Sequence, residues 1–269
     1  MAQNLNPQQQ AALKYIDGPL LVLAGAGSGK TSVITRKIAY LVEECGIPAR
    51  NIAAVTFTNK AAREMKARVS SLLGKSEGKG LTVSTFHNLG LTIIRTEIKA
   101  LGFRPGFSIL DQEDCRKLLK ELLVRHTELD EKLIDSAQST ISNWKNSLLE
   151  PGQAVGASNS TGEQAIAMLY ERYQRALKAY NAVDFDDLIM TPVMLFRQNP
   201  EILEKWKKRI RYLLVDEYQD TNLAQYELVK TLVNEKQALT VVGDDDQSIM
   251  PGAAPAQKTS CSCKKISPP

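Results

Sequence analysis

Ala24-Gly-Ala-Gly-Ser-Gly-Lys-Thr31 decides how the rest of the chain is read. The apolar run Leu20–Ala24 leads into it. Ile34, Ile38, Leu41 and Val42 follow it at the i, i+4, i+7, i+8 spacing of one helix face. A strand, a glycine-rich turn and an amphipathic helix in that order suit a phosphate-binding loop. Glycines let backbone N–H groups curl around phosphate oxygens without interference from Cβ atoms, and the helix N-terminus adds positive partial charge. The pattern predicts that Ala24, Gly25, Ala26, Gly27, Ser28 and Gly29 cradle the phosphates of ATP. Lys30 would reach the β- and γ-phosphates and Thr31 would ligate Mg2+. A glycine-rich turn that binds nothing would not need the Gly-Lys-Thr ending in this context.

Four further apolar runs read as strands: Ile52–Phe57, Leu81–Ser84, Tyr212–Val215 and Leu239–Val242. They are continuous rather than alternating, which fits a parallel sheet covered on both faces. Helical stretches separate them, so the expected class is α/β. The third and fourth runs are more than 120 residues apart, far beyond an ordinary crossover. That interval carries two helical stripes, Leu118, Leu119, Leu122 and Leu123, then Ile166, Leu169, Tyr170, Tyr173 and Leu177. Residues 88–198 therefore read as a helical subdomain inserted between two parts of the α/β domain, 1–87 and 199–249. Trp144 reads as core of that insert.

Two more strand ends carry acids. Leu213-Leu-Val-Asp-Glu217 ends an apolar run in two carboxylates, at the side of the sheet where α/β domains bind ligands. Asp216 would hold Mg2+ and Glu217 would polarise an attacking water, which suits a hydrolase. Val242-Gly-Asp-Asp-Asp-Gln-Ser248 has the same placement. Gln247 there could touch a γ-phosphate or the water; a solvated acidic turn explains the residues equally well.

At 269 residues with 43% hydrophobic and 24% charged residues, the chain has the composition of a folded soluble domain. No apolar run approaches the roughly 20 residues of a membrane span. The polar start MAQNLNPQQQ has no signal core, so a cytoplasmic protein away from the membrane is expected. Lys258, Lys264 and Lys265 supply +3 of the net +4, leaving residues 1–249 nearly neutral. Any nucleic-acid surface must then be a local patch. Cys45 and Cys115 are isolated and Cys261 and Cys263 lie in the tail, which reads as reduced thiols.

Leu5-Asn-Pro-Gln-Gln, the phosphate loop, Thr56-Phe-Thr-Asn-Lys-Ala-Ala-Arg-Glu-Met65, Ser84-Thr-Phe-His87, Asp184-Phe-Asp-Asp187, Asp216-Glu-Tyr-Gln-Asp220 and Gly243-Asp-Asp-Asp-Gln-Ser-Ile249 occur in this order. Together they resemble the first motor domain of the UvrD/Rep/PcrA DNA helicases, superfamily 1A. Ser139-Thr-Ile-Ser-Asn-Trp-Lys-Asn146 and the triple aspartate resemble the Rep branch most. The resemblance implies a RecA-like P-loop NTPase domain with a parallel sheet and an inserted helical subdomain. It implies ATP and Mg2+ as cofactors, single-stranded DNA as partner and a place among replication or repair proteins. Lys30, Glu217 and Gln247 take catalytic roles in that comparison, and Gln9 reads the adenine edge. Thr58, Asn59, Phe86 and His87 match positions along the DNA track. Hydroxyls and amides at strand ends can hold phosphates and aromatics can stack bases, although core packing is the other reading of Phe86 and His87. Lys60, Arg63 and Lys66 share one helical face, either a solvated face or a set of phosphate contacts.

Two departures stand out. Ser32 follows Gly-Lys-Thr where the family usually has an arginine packed on adenine. After Ile249 the family continues Tyr, any residue, an aromatic, Arg-Gly-Ala, whereas this chain reads Met250-Pro-Gly-Ala-Ala-Pro-Ala-Gln-Lys-Thr259. Back-translation with free wobble positions and one base restored before the Met250 codon permits Tyr, Ala, Trp, Arg, Gly, Ala, Arg, Pro, Glu and Asn. Residues 250–269 therefore read as a disordered, out-of-frame tail. No second motor domain follows, and the family's transition-state arginine, a group worth about 10³–10⁵ in rate, comes from that half. The expectation is an amino-terminal portion of a 3′–5′ DNA helicase that binds ATP and DNA but does not unwind alone. The alternative is a non-catalytic nucleotide- or DNA-binding fragment, or a translated pseudogene product.

Overall fold

A computed structural model describes residues 5–23, 29–123, 131–236, 238–244 and 264–266. The loop residues Ala24, Gly25, Ala26, Gly27 and Ser28, and Gln247, lie outside the described residues. The chain divides into two compact units. The first comprises residues 1–86, 200–221 and 229–269; the second comprises 87–199 and 222–228. The segment 222–228 groups with the helical unit, where Asn222 donates to Asn146 Oδ1 at 2.7 Å and Arg197 pairs with Glu227 at 3.2 Å.

In the first unit the elements run α1 (Pro7–Lys14), β1 (Leu20–Leu23), α2 (Lys30–Glu43), β2 (Ile52–Thr56), α3 (Asn59–Glu77) and β3 (Thr82–Thr85). The helix α4 (Phe86–Thr96) leads into the second unit. There follow β4 (Ser108–Leu110), α5 (Gln112–Leu123), α6 (Glu131–Asn146), α7 (Pro151–Ala157), α8 (Thr161–Ala179), β5 (Ala182–Asp184) and α9 (Asp187–Gln198). The chain returns through α10 (Pro200–Arg209), β6 (Tyr212–Val215), α11 (Leu223–Leu232), β7 (Leu239–Gly243) and β8 (Lys264–Ile266).

All five expected strands form, and they sit in one parallel sheet of order β3-β2-β6-β7-β1-β8. Every residue of β2, β6 and β7 is buried, as continuous apolar runs require. Ile34, Ile38 and Leu41 of α2 and Met65, Val69 and Leu73 of α3 pack with the sheet residues Leu20, Val22, Ala54 and Leu214. Pairing of Leu23 with Gly243 and of Val215 with Val241 brings three strand ends side by side. That edge is where the candidate site lies.

The tail differs from expectation at three residues. Lys264–Ile266 pair in parallel with β1, Leu20 opposite Lys264 and Val22 opposite Ile266. The outer edge of β1 presents N–H and C=O groups that a short extended segment can satisfy whatever its side chains. Residues 250–263 and 267–269 lie outside the described residues.

The second unit is helical with a small parallel pair, β4 and β5, that the sequence reading did not include. Its core gathers Leu118 and Leu119 of α5, Ile134 and Ile141 of α6, and Ile166, Tyr170 and Tyr173 of α8, with Trp144 stacked on Tyr170 at 6.0 Å. Gly90 lets α4 approach α9 closely: a Cβ there would sit 1.8 Å from the Leu188 carbonyl oxygen.

Candidate functional site

Gly29 caps α2 in a left-handed conformation (φ 83°) with no side chain closing the helix N-terminus. Glycine adopts that conformation without a Cβ clash, so the helix can begin at once with Lys30 and Thr31. The Lys30 ammonium lies 3.0 Å from Asp244 Oδ2 and 3.9 Å from Glu217 Oε2. The structure thus brings Lys30 together with Glu217 and within reach of the Asp216 charge, at the ends of β6 and β7, while Thr31 follows Lys30 in the first turn of α2. Asp244 was read only as part of an acidic turn. It is the direct ion-pair partner of Lys30, and a separation of 214 positions in the chain conceals the pairing.

Asp216 is buried. Burial, then the neighbouring Glu217 charge, pushes its carboxyl up to about 6, against a hydrogen bond from the Glu217 N–H and the charge of Lys30. Glu217 sits in the left-handed region (φ 52°, ψ 44°) with its side chain 43% exposed, so the two adjacent carboxylates face different surroundings. One is sheltered and the other is open to water. Thr31 and Asp216 are hard oxygen donors of the kind Mg2+ takes.

Gln219 ties two strand ends together. Its amide NH2 donates to Glu217 Oε2 at 2.6 Å, and its carbonyl accepts from the Asp244 N–H at 3.1 Å. A Cβ on Gly243 would come within 3.1 Å of that carbonyl, so glycine there leaves room for the bridge. Within Asp216-Glu-Tyr-Gln-Asp220 nothing local marks Gln219 for this bridge, because Asp244 lies 25 residues further on.

Gln9 lies in the first turn of α1. Asn6 and Gln9 form a reciprocal capping box, with Gln9 N donating to Asn6 Oδ1 at 2.7 Å and Asn6 N to Gln9 Oε1 at 3.0 Å. Gln9 Nε2 would be 3.6 Å from a Cβ on Gly29, which puts its amide at the start of α2.

The DNA-track residues fall into different environments. Thr58 and Asn59 stand at the turn after β2, where Thr58 Oγ1 accepts from Ala61 N–H at 3.1 Å. Lys60, Arg63 and Lys66 are exposed on α3. Phe86 is a correction: it is only 1% exposed and packs edge-on against Phe57 at 5.3 Å, so its ring belongs to the core and offers no face to a base. Burying a whole aromatic ring outweighs leaving it in water. In the second unit, His87 lies 5.3 Å from the ring of Phe185, which is 54% exposed. Burial lowers the His87 pKa, opposed by Asp186, so the imidazole is neutral at neutral pH. Phe185 is a large exposed aromatic that sequence reasoning missed; its place between aspartates was the available signal.

A parallel sheet whose strand ends gather an ammonium at a helix start, an acid pair and a bridging amide is consistent with a RecA-like α/β domain. Residues 5–251 match the family described as the UvrD/REP helicase N-terminal domain, and the chain belongs to that family. It is 56% identical over 245 residues to the ATP-dependent DNA helicases Rep of Salmonella typhimurium and Escherichia coli, covering 91% of this chain and 36% of each relative. It is 48% identical over 251 residues to the ATP-dependent DNA helicase PcrA of Bacillus subtilis, covering 93% of this chain and 34% of that one. The chain thus spans about a third of the length of the curated relatives it matches. Among the described residues no helix is long and apolar enough to cross a membrane.

Proposed function

We propose that this chain is the amino-terminal motor portion of a Rep-type 3′–5′ DNA helicase, binding Mg·ATP and single-stranded DNA. The observation that carries the reading is the Lys30 ammonium held 3.0 Å from Asp244 and 3.9 Å from Glu217 at the carboxyl edge of the sheet. Lys30 exchanges Asp244 for the terminal phosphates when nucleotide enters. Residues 24–29 wrap the phosphates with backbone N–H groups, and Gln9 meets the adenine edge. Thr31 and Asp216 would hold Mg2+, which supplies positive charge to the β- and γ-phosphates. Glu217, exposed and steadied by Gln219, takes the proton of the attacking water, and Gln247 reports the γ-phosphate. Thr58, Asn59 and His87 contact the DNA strand. The cytoplasm is the compartment that goes with DNA as partner, and replication or repair proteins are the partners that go with the family.

Residues 252–269 lie beyond the family match. The reading for the tail is a lost base after the Ile249 codon, and the gene sequence there tests it: an intact frame one base back supports it, and its absence defeats it. Phosphate release with and without single-stranded DNA tests the function. The expected result is competitive binding of ATP analogues, and loss of that binding and of any phosphate release in Lys30→Ala. Equal analogue binding by both would overturn the site.

A further inference from the structure

Lys37 is a fully buried ammonium of the first unit, and the proposed function gives it no task. Its Nζ donates to the carbonyl oxygens of Ala12 at 2.8 Å, Leu13 at 3.3 Å and Tyr15. These are the last carbonyls of α1, which a helix leaves without internal partners. Three ammonium protons meet three carbonyls, so the charge is satisfied without a carboxylate. The Tyr212 ring lies 5.8 Å away, and the Cys45 thiol is the other titratable group whose charge it senses. Burial pushes the ammonium down to about 8, against the Cys45 charge, so it remains mostly protonated at neutral pH.

The eight residues of α1 are fewer than the about 12–15 that make a helix marginally stable alone. Its start is held by the Asn6–Gln9 capping box and its end by Lys37. Lys37 belongs to α2, two turns after Lys30, so the helix that begins with the phosphate-gripping residues also carries the clamp on α1. Gln9, at the other end of α1, lies against Gly29, the cap of that same α2. Two contacts, one at each end of α1, therefore fix its position along α2.

We propose that Lys37 is a positioning residue that locks α1 onto α2, so that Gln9 is held at a set distance from Gly29 at the start of α2 and the site prefers adenine to other bases. The inference rests on the reading of Gln9 as the base reader and of Lys30 as the phosphate grip. Loss of the clamp should leave the phosphate end intact and loosen only the base end.

The test displaces a fluorescent ATP analogue from the full chain with ATP, GTP and inorganic tripolyphosphate, each with Mg2+. The parent chain and the variants Lys37→Met, Lys37→Gln and Lys37→Arg are compared. The parent should prefer ATP to GTP. Lys37→Met should lose most of that preference, at least fivefold by about the weight of one charge-assisted hydrogen bond, while tripolyphosphate affinity changes less than about twofold. Lys37→Gln, which keeps two donors, should lose part of it, and Lys37→Arg should keep most. An unchanged ATP-to-GTP ratio in Lys37→Met overturns the inference, as does a parallel fall for all three competitors. If Lys37→Met does not fold, an unchanged ratio in Lys37→Gln overturns it instead. Failure of the underlying reading looks different: a parent chain with no base preference removes Gln9 as base reader, and tripolyphosphate binding that survives Lys30→Ala removes the phosphate site.

Discussion

In the first unit Lys30 meets Asp244 at 3.0 Å and Glu217 at 3.9 Å; in the second, Lys145 meets Asp184 at 2.6 Å and Asp187 at 2.9 Å. Both clusters set one ammonium against two carboxylates, yet they serve opposite ends. Lys145 is fully buried, and all four oxygens of its aspartates are occupied. Asp184 Oδ1 accepts from Asp187 N–H and Oδ2 from Lys145 and Tyr173. Asp187 Oδ1 accepts from Lys145 and Gln174, and Oδ2 from Asp184 N–H. Burial alone would lower the Lys145 pKa, but the two aspartates raise it; burial alone would raise that of Asp184, but Lys145 holds it below the ordinary value. Such a cluster has nothing left to offer a ligand. It pins the Asp184–Asp187 turn inward and leaves Phe185 outside. In the Lys30 cluster Asp244 is sheltered at 6% exposure, but Glu217 lies 3.9 Å from the ammonium with 43% of its side chain open to water. The same residue types thus make a fully enclosed cluster in one unit and one with a solvent-facing carboxylate in the other.

The largest test of that contrast is removal of each ammonium. Lys145→Met should cost about 3–5 kcal/mol in urea unfolding, because two carboxylates are left buried without their counter-charge. Lys30→Met should cost less, about 1–3 kcal/mol, because it strands one buried carboxylate, Asp244 at 6% exposure, while Glu217 at 43% stays solvated. Equal losses would break the contrast.

A smaller effect comes from pH. The folded chain holds the Asp216 proton up to about 6 against an ordinary 3.8, so ionising this group costs stability, and its contribution falls as pH rises from about 4 to 6. Mg2+ needs the ionised form. Mg2+-dependent nucleotide binding should therefore strengthen as pH rises through about 6, and Asp216→Ala should abolish that dependence while Glu217→Gln leaves Mg·ATP binding nearly intact. Asp184 runs the other way: its stabilisation is present above the ordinary 3.8 and is lost as pH falls below it. Identical pH profiles for Asp216→Ala and Glu217→Gln, measured by titration with an ATP analogue, would defeat the split of roles.

The smallest effect sharpens the site. Gly243→Ala should push on the Gln219 carbonyl and cost about 1 kcal/mol or less, the net worth of one hydrogen bond. Thermal melting reads it, and a loss of several kcal/mol would mean the strand end itself is strained.

How much of this was legible in the sequence depends on how local the signal is. The five sheet strands are continuous apolar runs with a turn after each, and the phosphate loop sits between one of them and an amphipathic helix. Strands β4 and β5 have three residues each, too few to show a period. The partners Lys30 and Asp244, and Lys145 with Asp184 and Asp187, are far apart in the chain, and only folding sets them face to face. Lys37 lies three residues after Ile34 and four before Leu41, but the carbonyls it caps belong to α1, more than twenty residues earlier, and only folding brings them to it. Phe86 and Phe185 were exchanged in effect: the aromatic beside His87 in sequence is buried, and the one beside it in space is exposed.

Titration of the full chain with a fluorescent ATP analogue in the presence of Mg2+, alongside Lys30→Ala, tests the central claim most directly. The account predicts saturable binding that unlabelled ATP displaces, weakened at least about tenfold in Lys30→Ala through loss of charge-assisted phosphate contacts. Binding of equal strength by the two chains would contradict it.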